Sequence, residues 1–377
     1  MKTQPSPAFC TVITNRYVSY GRVLARRLAE CHEGATLYAF LADEDDGCFD
    51  AEAEPFVLVR PSDLVEAGAI DPFVFRDMAF YYGAFELCNG IRPYLHRFMR
   101  AVCGRDRWFY LDSDIWVIHS LEPLFEELAQ TSILLSPHCL APPTGRVRLQ
   151  TLFLRYGVFN SGCLGIRGCD EADRFLDWWC DAMRFCAVTK APYQGDQPWL
   201  NAVPAYFPGS RICRNPGANV GYWNIHERKI EKTTDGFLCN RKPWLFAHLS
   251  GLELGNYDRL SNWAKEYDGR VPAAWKEVHW AYLEALLDDG LEETASLPYA
   301  FDHFSDGTRI TPRVRNLYRE DCLQGNNLVD KSPFDCPKEF RRRALGDAIS
   351  DVVAVQMEAG KHFFAPQTRP IDLKKIA

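Results

Sequence analysis

Apolar positions recur along this chain with two different periods, and the changes of period mark out its elements. Phe9–Thr14 reads FCTVIT, a short apolar and β-branched run of the kind that forms a strand buried on both faces. From Tyr17 to Ala29 the apolar residues return at helical spacing instead. Leu37–Leu41 (LYAFL) is a second run, closed by the acidic segment Asp43–Gly47, which reads as a solvated turn, and Phe56–Val59 is a third. Ala84–Val102 spaces Phe85, Leu87, Ile91, Leu95 and Phe98 between polar and basic residues and predicts one long helix. Arg107–Leu111 (RWFYL) predicts a fourth strand, Asp170–Cys186 and Gln197–Val203 further helices, and Trp244–His248 an aromatic strand. Strand and helix in alternation predict an α/β fold with a mostly parallel sheet and helices on both faces.

Beyond Leu260 the character changes. A helical pattern at Ala273–Leu287 leads into a polar stretch rich in Pro and Asp, then a last helix near Lys338–Gln356. With 377 residues the chain exceeds the size at which one core usually stops growing. The expected division is residues 1–260 as the main domain and 261–377 as a mainly helical appendage on the acceptor side or in a structural role. Internal repeats and low-complexity tracts are absent from the sequence.

Composition narrows the picture only a little. The net charge of −7 offers no global basic field, so no nucleic-acid partner is expected, and Arg341-Arg342-Arg343 reads as a solvated helix face. The 14 cysteines form no repeated CxxC pairs, the N-terminal residues hold no apolar run of signal-peptide length, and nothing resembles a transmembrane segment. A reducing cytoplasmic location without a disulfide framework is the expectation.

In parallel sheets, ligands sit beyond the carboxyl ends of the strands. Asp112 and Asp114 follow the run FYL directly, and residues i and i+2 of an extended chain project to one side, so both carboxylates can face one divalent cation. A polar turn would use the same residues, but apolar flanks make the turn partly buried, and two adjacent buried carboxylates are costly without a cation. In GVFNSGCLGIRG, Asn160, Ser161 and Gly162 interrupt an apolar run, as a bulge or as a place of close approach to a ligand. In YQGDQPWLN, Asp196 reads equally as a helix N-cap and, with Gln197, as a polyol-binding pair. His248 follows an apolar strand and precedes Ser250-Gly251, so it emerges at a strand end, where imidazole is a credible third ligand for Mn²⁺.

The order LDSD, FNSG, GDQPWLN and AHLSG resembles the glycosyltransferases of family 8, the glycogenin and lipopolysaccharide galactosyltransferase kind, which carry D-x-D, N-S-G, D-Q-x-x-L-N and H-x-x-G in that order. It is still more similar to a group of uncharacterised bacterial glycosyltransferases that share CTVIT, Glu86 with Arg92-Pro93, SPH after the metal strand, and NPGANVGYWNIHER. The resemblance spans Phe9–Gly251, with a weaker continuation through YAFDHFSDGTRI. It implies the GT-A fold, a single Rossmann-like domain, and Mn²⁺ (or Mg²⁺) held by Asp112, Asp114 and His248. It further implies that Thr14 and Asn15 line the nucleoside pocket, that Ser113 and Gly251 contact the nucleotide, and that Arg92 meets phosphate or sugar. Asn160, Asp196 and Gln197 would hold the donor sugar at the reacting carbon. One departure stands out: the family's Lys after H-x-x-G is missing, and Arg228 in NIHER is the substitute candidate for neutralising the diphosphate.

The implied activity is transfer of a hexose-type sugar, with retention, from a nucleotide-sugar donor (a UDP-sugar) to a glycan, lipid-linked or protein acceptor. The metal and a basic side chain would neutralise the leaving group. Two competing readings are a nucleotidyltransferase making a nucleotide sugar, for which Phe9–Arg22 lacks a Gly-rich phosphate loop, and a non-catalytic carbohydrate-binding protein, which would have no use for a metal triad.

Overall fold

The computed structural model describes residues 7–101, 106–187, 195–265, 269–326, 331–340 and 342–343. Its strands are β1 (Ala8–Ile13), β2 (Thr36–Leu41), β3 (Val57–Val59), β4 (Arg107–Leu111), β5 (Ile115–Val117), β6 (Ile133–Pro137), β7 (Phe159–Arg167), β8 (Ser210–Ile212), β9 (Ile230–Thr233), β10 (Gly236–Cys239), β11 (Lys242–Pro243) and β12 (Phe246–His248). Among the described residues, seven of these form one sheet in the order β3-β2-β1-β4-β7-β6-β8. Every neighbouring pair is parallel except those made by β7, which runs against both β4 and β6. The fold is thus mixed α/β with a mostly parallel central sheet and helices packed around it. All six residues of β1 are buried, as a strand covered on both faces requires.

The helices that shape the site are α1 (Val18–Cys31), α2 (Ala84–Gly90), α3 (Arg92–Ala101), α4 (Val147–Tyr156), α5 (Asp170–Cys186), α6 (Gln197–Leu200) and α7 (Ala273–Asp288). The single helix expected over 84–102 is two. Pro93 has no N–H for the carbonyl of Asn89, so the first helix ends and the second begins with Arg92-Pro93 in its first turn. Phe85, one of the apolar residues of that pattern, is 67% exposed and lines a cavity. The Asp43–Gly47 turn also departs from expectation: Asp43 is buried and receives the backbone N–H groups of Asn15 (3.3 Å), Glu44 (3.0 Å) and Ala300 (2.9 Å). Asp45 is the solvated member, paired with Arg60 at 2.7 Å.

The chain divides into two compact units, Met1–Asp302 and His303–Ala377. The first therefore runs past Leu260 and includes α7, whose Trp275, Val278 and Tyr282 share a core with Trp116, Trp244 and Leu260. Trp275 stacks on Trp244 with centroids 6.0 Å apart. In the second unit, the helix Pro312–Leu323 is capped by Thr311, and Phe340 packs against Phe304 and Tyr318. The expected last helix over 338–356 lies largely outside the described residues. Arg343 pairs with Asp321 at 2.6 Å. Every described cysteine is free, and no helix of the described residues is long and apolar enough to cross a membrane.

Trp275→Ala removes a fully buried ring from this second core and should cost about 3–5 kcal/mol, measured by urea unfolding. A loss under ~1 kcal/mol would show that α7 is not part of the core of the first unit.

Candidate active site

The acidic turn follows β4 and leads straight into β5. β5 pairs antiparallel with β12, and the register sets His248 opposite Ile115, beside the turn. This two-strand pairing is what brings together residues more than 130 positions apart in sequence. His248 Nε2 lies 3.1 Å from Asp114 Oδ1 and 3.6 Å from Asp112 Oδ2, and the ligand atoms of all three fall within 4.8 Å of one another. Burial alone would push the imidazole pKa down, but Asp114 first and Asp112 second outweigh it and raise it above the usual value. Burial likewise opposes ionisation of Asp114, yet His248 holds it below the ordinary carboxylate range.

The residue set fits a divalent cation. Two hard carboxylates and one imidazole suit Mn²⁺, and Gly162 keeps the space clear for them. A Cβ on Gly162 would lie 2.3 Å from Asp112 Oδ2, 2.5 Å from His248 Cε1 and 2.9 Å from Asn160 Oδ1. The sequence left open whether FNSG is a bulge or a site of close approach, and it is both. Between Leu135 and Ser136 of β6, which face Leu164 and Asn160, the register shifts and Ser161, Gly162 and Cys163 are extra on β7. The close approach is made by the site's own side chains.

A buried cation already sits beside this group. Arg92, at the start of α3, donates from Nη2 to Asp112 Oδ1 at 2.6 Å and from Nη1 to Asp196 Oδ2 at 2.8 Å, and it also contacts Ser161 Oγ. Its guanidinium lies 4.8 Å above the ring of Tyr110, whose hydroxyl donates to Asp112 Oδ1. Burial disfavours the charge on Arg92, but Asp112 and Asp196 hold its pKa well above the usual value. Asp196 is 2% exposed, and burial raises its pKa even against Arg92. As a helix cap it is not what the sequence pattern suggests: its side chain caps nothing in α6 and is spent on Arg92 and Ser161 Oγ (3.0 Å).

Amide side chains complete the wall. Gly157, with φ +97 at the end of α4, lets the chain pass so close to Gln197 that a Cβ would stand 2.8 Å from its carbonyl oxygen. Gln197 Oε1 accepts from Asn160 Nδ2 (2.8 Å) and from the Ser161 N–H (3.2 Å). His138 of the SPH motif, held neutral by burial with a pKa pushed down to about 4, stacks on Phe153 of α4. These residues line a cavity of about 660 Å³ that also takes in Phe85, Tyr156, Trp223 and Trp263, a size usual for small-molecule sites.

Arg92, Asp112, Asn160, Asp196, Gln197 and His248 all reach this cavity. Asp114 joins them through His248, and Ser113 is buried within the turn. Thr14 and Asn15 are buried just past β1 and are not among the cavity-lining residues, nor is Gly251, which sits under Trp263 with φ +65. Arg228 stands 3.5 Å from Glu227, away from the lining; Glu227 receives the N–H groups of Leu140 and Ala141. Asn219 was unassigned from sequence although it lies in the quoted NPGANVGYWNIHER motif. Its Oδ1 accepts from His248 Nδ1 at 3.0 Å.

No family model matches the chain. Two curated relatives from Bacillus subtilis (strain 168) are similar to it: the uncharacterized protein YfnD, 26% identical over 227 residues (59% of this chain, 70% of the relative), and the uncharacterized protein YfnF, 24% identical over 287 residues (74% and 91%). Among solved structures it is similar to the galactosyltransferase LgtC in complex with donor and acceptor sugar analogs, with 16% identity, 72% of this chain and 99% of that chain covered, and a TM-score of 0.42. The glycosyltransferase GlyE of Streptococcus pneumoniae TIGR4 matches with 15% identity, 80% and 67% coverage, and a TM-score of 0.44.

Two outcomes follow from this geometry. Gly162→Ala should leave the fold cooperative while weakening Mn²⁺ binding by at least about tenfold, read by isothermal titration, because a methyl group would displace two ligands; unchanged affinity would contradict the cradle. A proton on His248 Nε2 competes with the cation, and its pKa is raised. Mn²⁺ affinity should therefore climb as pH rises through that raised value and level off above it. A pH-independent affinity would remove His248 from the ligand set.

Proposed function

We propose that the chain is a GT-A glycosyltransferase that moves a sugar from a nucleoside diphosphate, a UDP-sugar, to a glycan, lipid-linked or protein acceptor. One observation carries the reading: the ligand atoms of Asp112, Asp114 and His248 converge within 4.8 Å, and Asp112 and His248 line the same cavity as the ion-paired Arg92 and Asp196. A divalent cation, Mn²⁺ or Mg²⁺, would be held by Asp112 Oδ2, Asp114 and His248, and when bound it offsets the charge of the diphosphate leaving group. Arg92 orients Asp112 by taking its Oδ1, which leaves Oδ2 toward the ligand group. The same guanidinium holds Asp196 in place, so that its carboxylate can face the positive charge that develops at the sugar's anomeric carbon. Asn160 and Gln197, lining the cavity beside Asp196, offer amides to sugar hydroxyls. Retention of configuration follows from the resemblance to family 8 and belongs to this proposal. Arg92 is the cation nearest the diphosphate in this reading, in place of the absent family Lys.

The test is thermal. UDP should raise the melting temperature in Mn²⁺ but not in EDTA, because a carboxylate floor repels a diphosphate without a bridging cation. Asp112→Asn should abolish the shift, and equal stabilisation in EDTA would overturn the proposal. Asp196→Asn should keep the Mn²⁺-dependent shift while hydrolysis or transfer of the donor falls by roughly two orders of magnitude, the scale of losing one preorganised charge. Turnover within a few-fold of the parent would move the sugar-site role to Asn160 or Gln197.

A further inference from the structure

The side chains around His248 form a chain of amides whose direction is dictated by the backbone. Asn219 is 1% exposed and holds the left-handed conformation, φ +51. It is carried to His248 because Val220 forms a bridge to Ala247 of β12, with the His248 N–H donating to Val220 O at 2.8 Å. Asn219 Oδ1 lies 3.0 Å from His248 Nδ1, its Nδ2 donates to Asn160 Oδ1 at 3.2 Å, and Asn160 Nδ2 donates to Gln197 Oε1 at 2.8 Å.

An amide can be turned end for end, so a run of amides alone has no fixed sense. Here two groups that can only donate remove the ambiguity. The Gly162 N–H points at Asn160 Oδ1 (3.1 Å), and the Ser161 N–H points at Gln197 Oε1 (3.2 Å). Asn160 must therefore present its oxygen toward Gly162 and Asn219. Asn219 must in turn present Nδ2 to Asn160 and its oxygen to the imidazole. An oxygen at Nδ1 requires a ring proton there in either charge state, so the proton that His248 gives up to a cation is the one on Nε2, which then turns its lone pair toward Asp112 and Asp114. At the other end, Gln197 faces its partners with oxygen and turns its amide N–H groups to Tyr156 O (3.4 Å) and the cavity.

We infer that Asn219 is a positioning residue: it sets the tautomer of His248 that can bind a cation and ties that choice to the orientation of Asn160 and Gln197 in the sugar subsite. The inference rests on the metal reading of Asp112, Asp114 and His248. It adds that the β7 bulge, by aiming two N–H groups, determines both the ligand nitrogen and the donor character of Gln197. The group that Gln197 meets on the substrate is then a hydrogen-bond acceptor, such as a hydroxyl or carbonyl oxygen.

Two substitutions separate the ends of the chain, and both tolerate the left-handed backbone. Asn219→Asp still accepts from Nδ1 but cannot donate to Asn160. Asn219→Gly removes both contacts. Mn²⁺ affinity by isothermal titration should stay within a few-fold of the parent in Asn219→Asp and fall about 10–100-fold in Asn219→Gly, the usual range for losing a partner of a metal-bound histidine. Donor turnover should fall in both, with KM raised in Asn219→Asp at unchanged metal affinity. A residue of purely structural importance would lower stability in both variants without this split, and equal Mn²⁺ affinities in the two would overturn the inference. The parent protein supplies a readout that needs no variant: ¹⁵N-histidine NMR in alkaline buffer should show His248 protonated at Nδ1 and bare at Nε2. The opposite tautomer would sink the positioning role. Failure of Mn²⁺ to bind the parent at all, with the Nδ1 proton present, would instead strike the metal reading and leave the amide chain standing.

Discussion

Asp112, Asp114 and Asp196 gather three carboxylates into one cluster, two of them lining the cavity and the third joined through His248, and the surrounding structure is organised by the need to hold them there. Each loses water on burial, and their mutual repulsion grows as the local dielectric falls. The cluster is stable because positive charge is inserted between them at two points. Arg92 bridges Asp112 to Asp196, and His248 stands against Asp112 and Asp114. Breaking a buried pair of this kind leaves the remaining charge unsatisfied, a loss of several kcal/mol, so neither Arg92 nor Asp196 is replaceable without a structural cost. The same arrangement gives Asp112 two faces: one oxygen for the guanidinium and the tyrosine hydroxyl, the other for the histidine and whatever cation joins it.

Backbone geometry turns these charges into a site. The antiparallel strand β7 crosses an otherwise parallel sheet next to β4, and its bulge falls level with the acidic turn. A regular strand there would send alternate residues to opposite faces. The extra residues let Asn160, Ser161 and Gly162 all serve the cavity. Glycine is required at the centre because side chains from the acidic turn after β4 and from β12 occupy the space a Cβ would take. The pairing of β5 with β12 then delivers His248, and the bridge at Val220 delivers Asn219 behind it.

Much of this was legible because the functional residues sit at the ends of apolar runs. RWFYL followed by DSD, and WLFAH followed by LSG, mark strand ends in sequence, and strand ends are where ligands bind in such sheets. The strands β1 to β4 and β12, with α1, α5 and α7, were readable for the same reason, from uninterrupted periodicity. What escaped depends on contacts between distant segments. Asp196 has every local mark of an N-cap, yet Arg92 from α3 claims its carboxylate. Asp43 looks solvated within DEDDG, but backbone N–H groups from three segments converge on it. Asn219 carries no local signal beyond a Gly- and Asn-rich stretch; its role appears only when β12 draws that stretch alongside.

The metal-dependent account stands or falls on where a cation goes. Crystals grown with Mn²⁺ and UDP and measured at the manganese edge would locate it directly. The account predicts an anomalous peak among Asp112, Asp114 and His248 Nε2, with nitrogen and oxygen distances of about 2.0–2.3 Å and diphosphate oxygens completing the coordination. A cation bound elsewhere, such as at the other described cluster of Cys139, His226 and Glu227, with the diphosphate held away from Asp112, would contradict it.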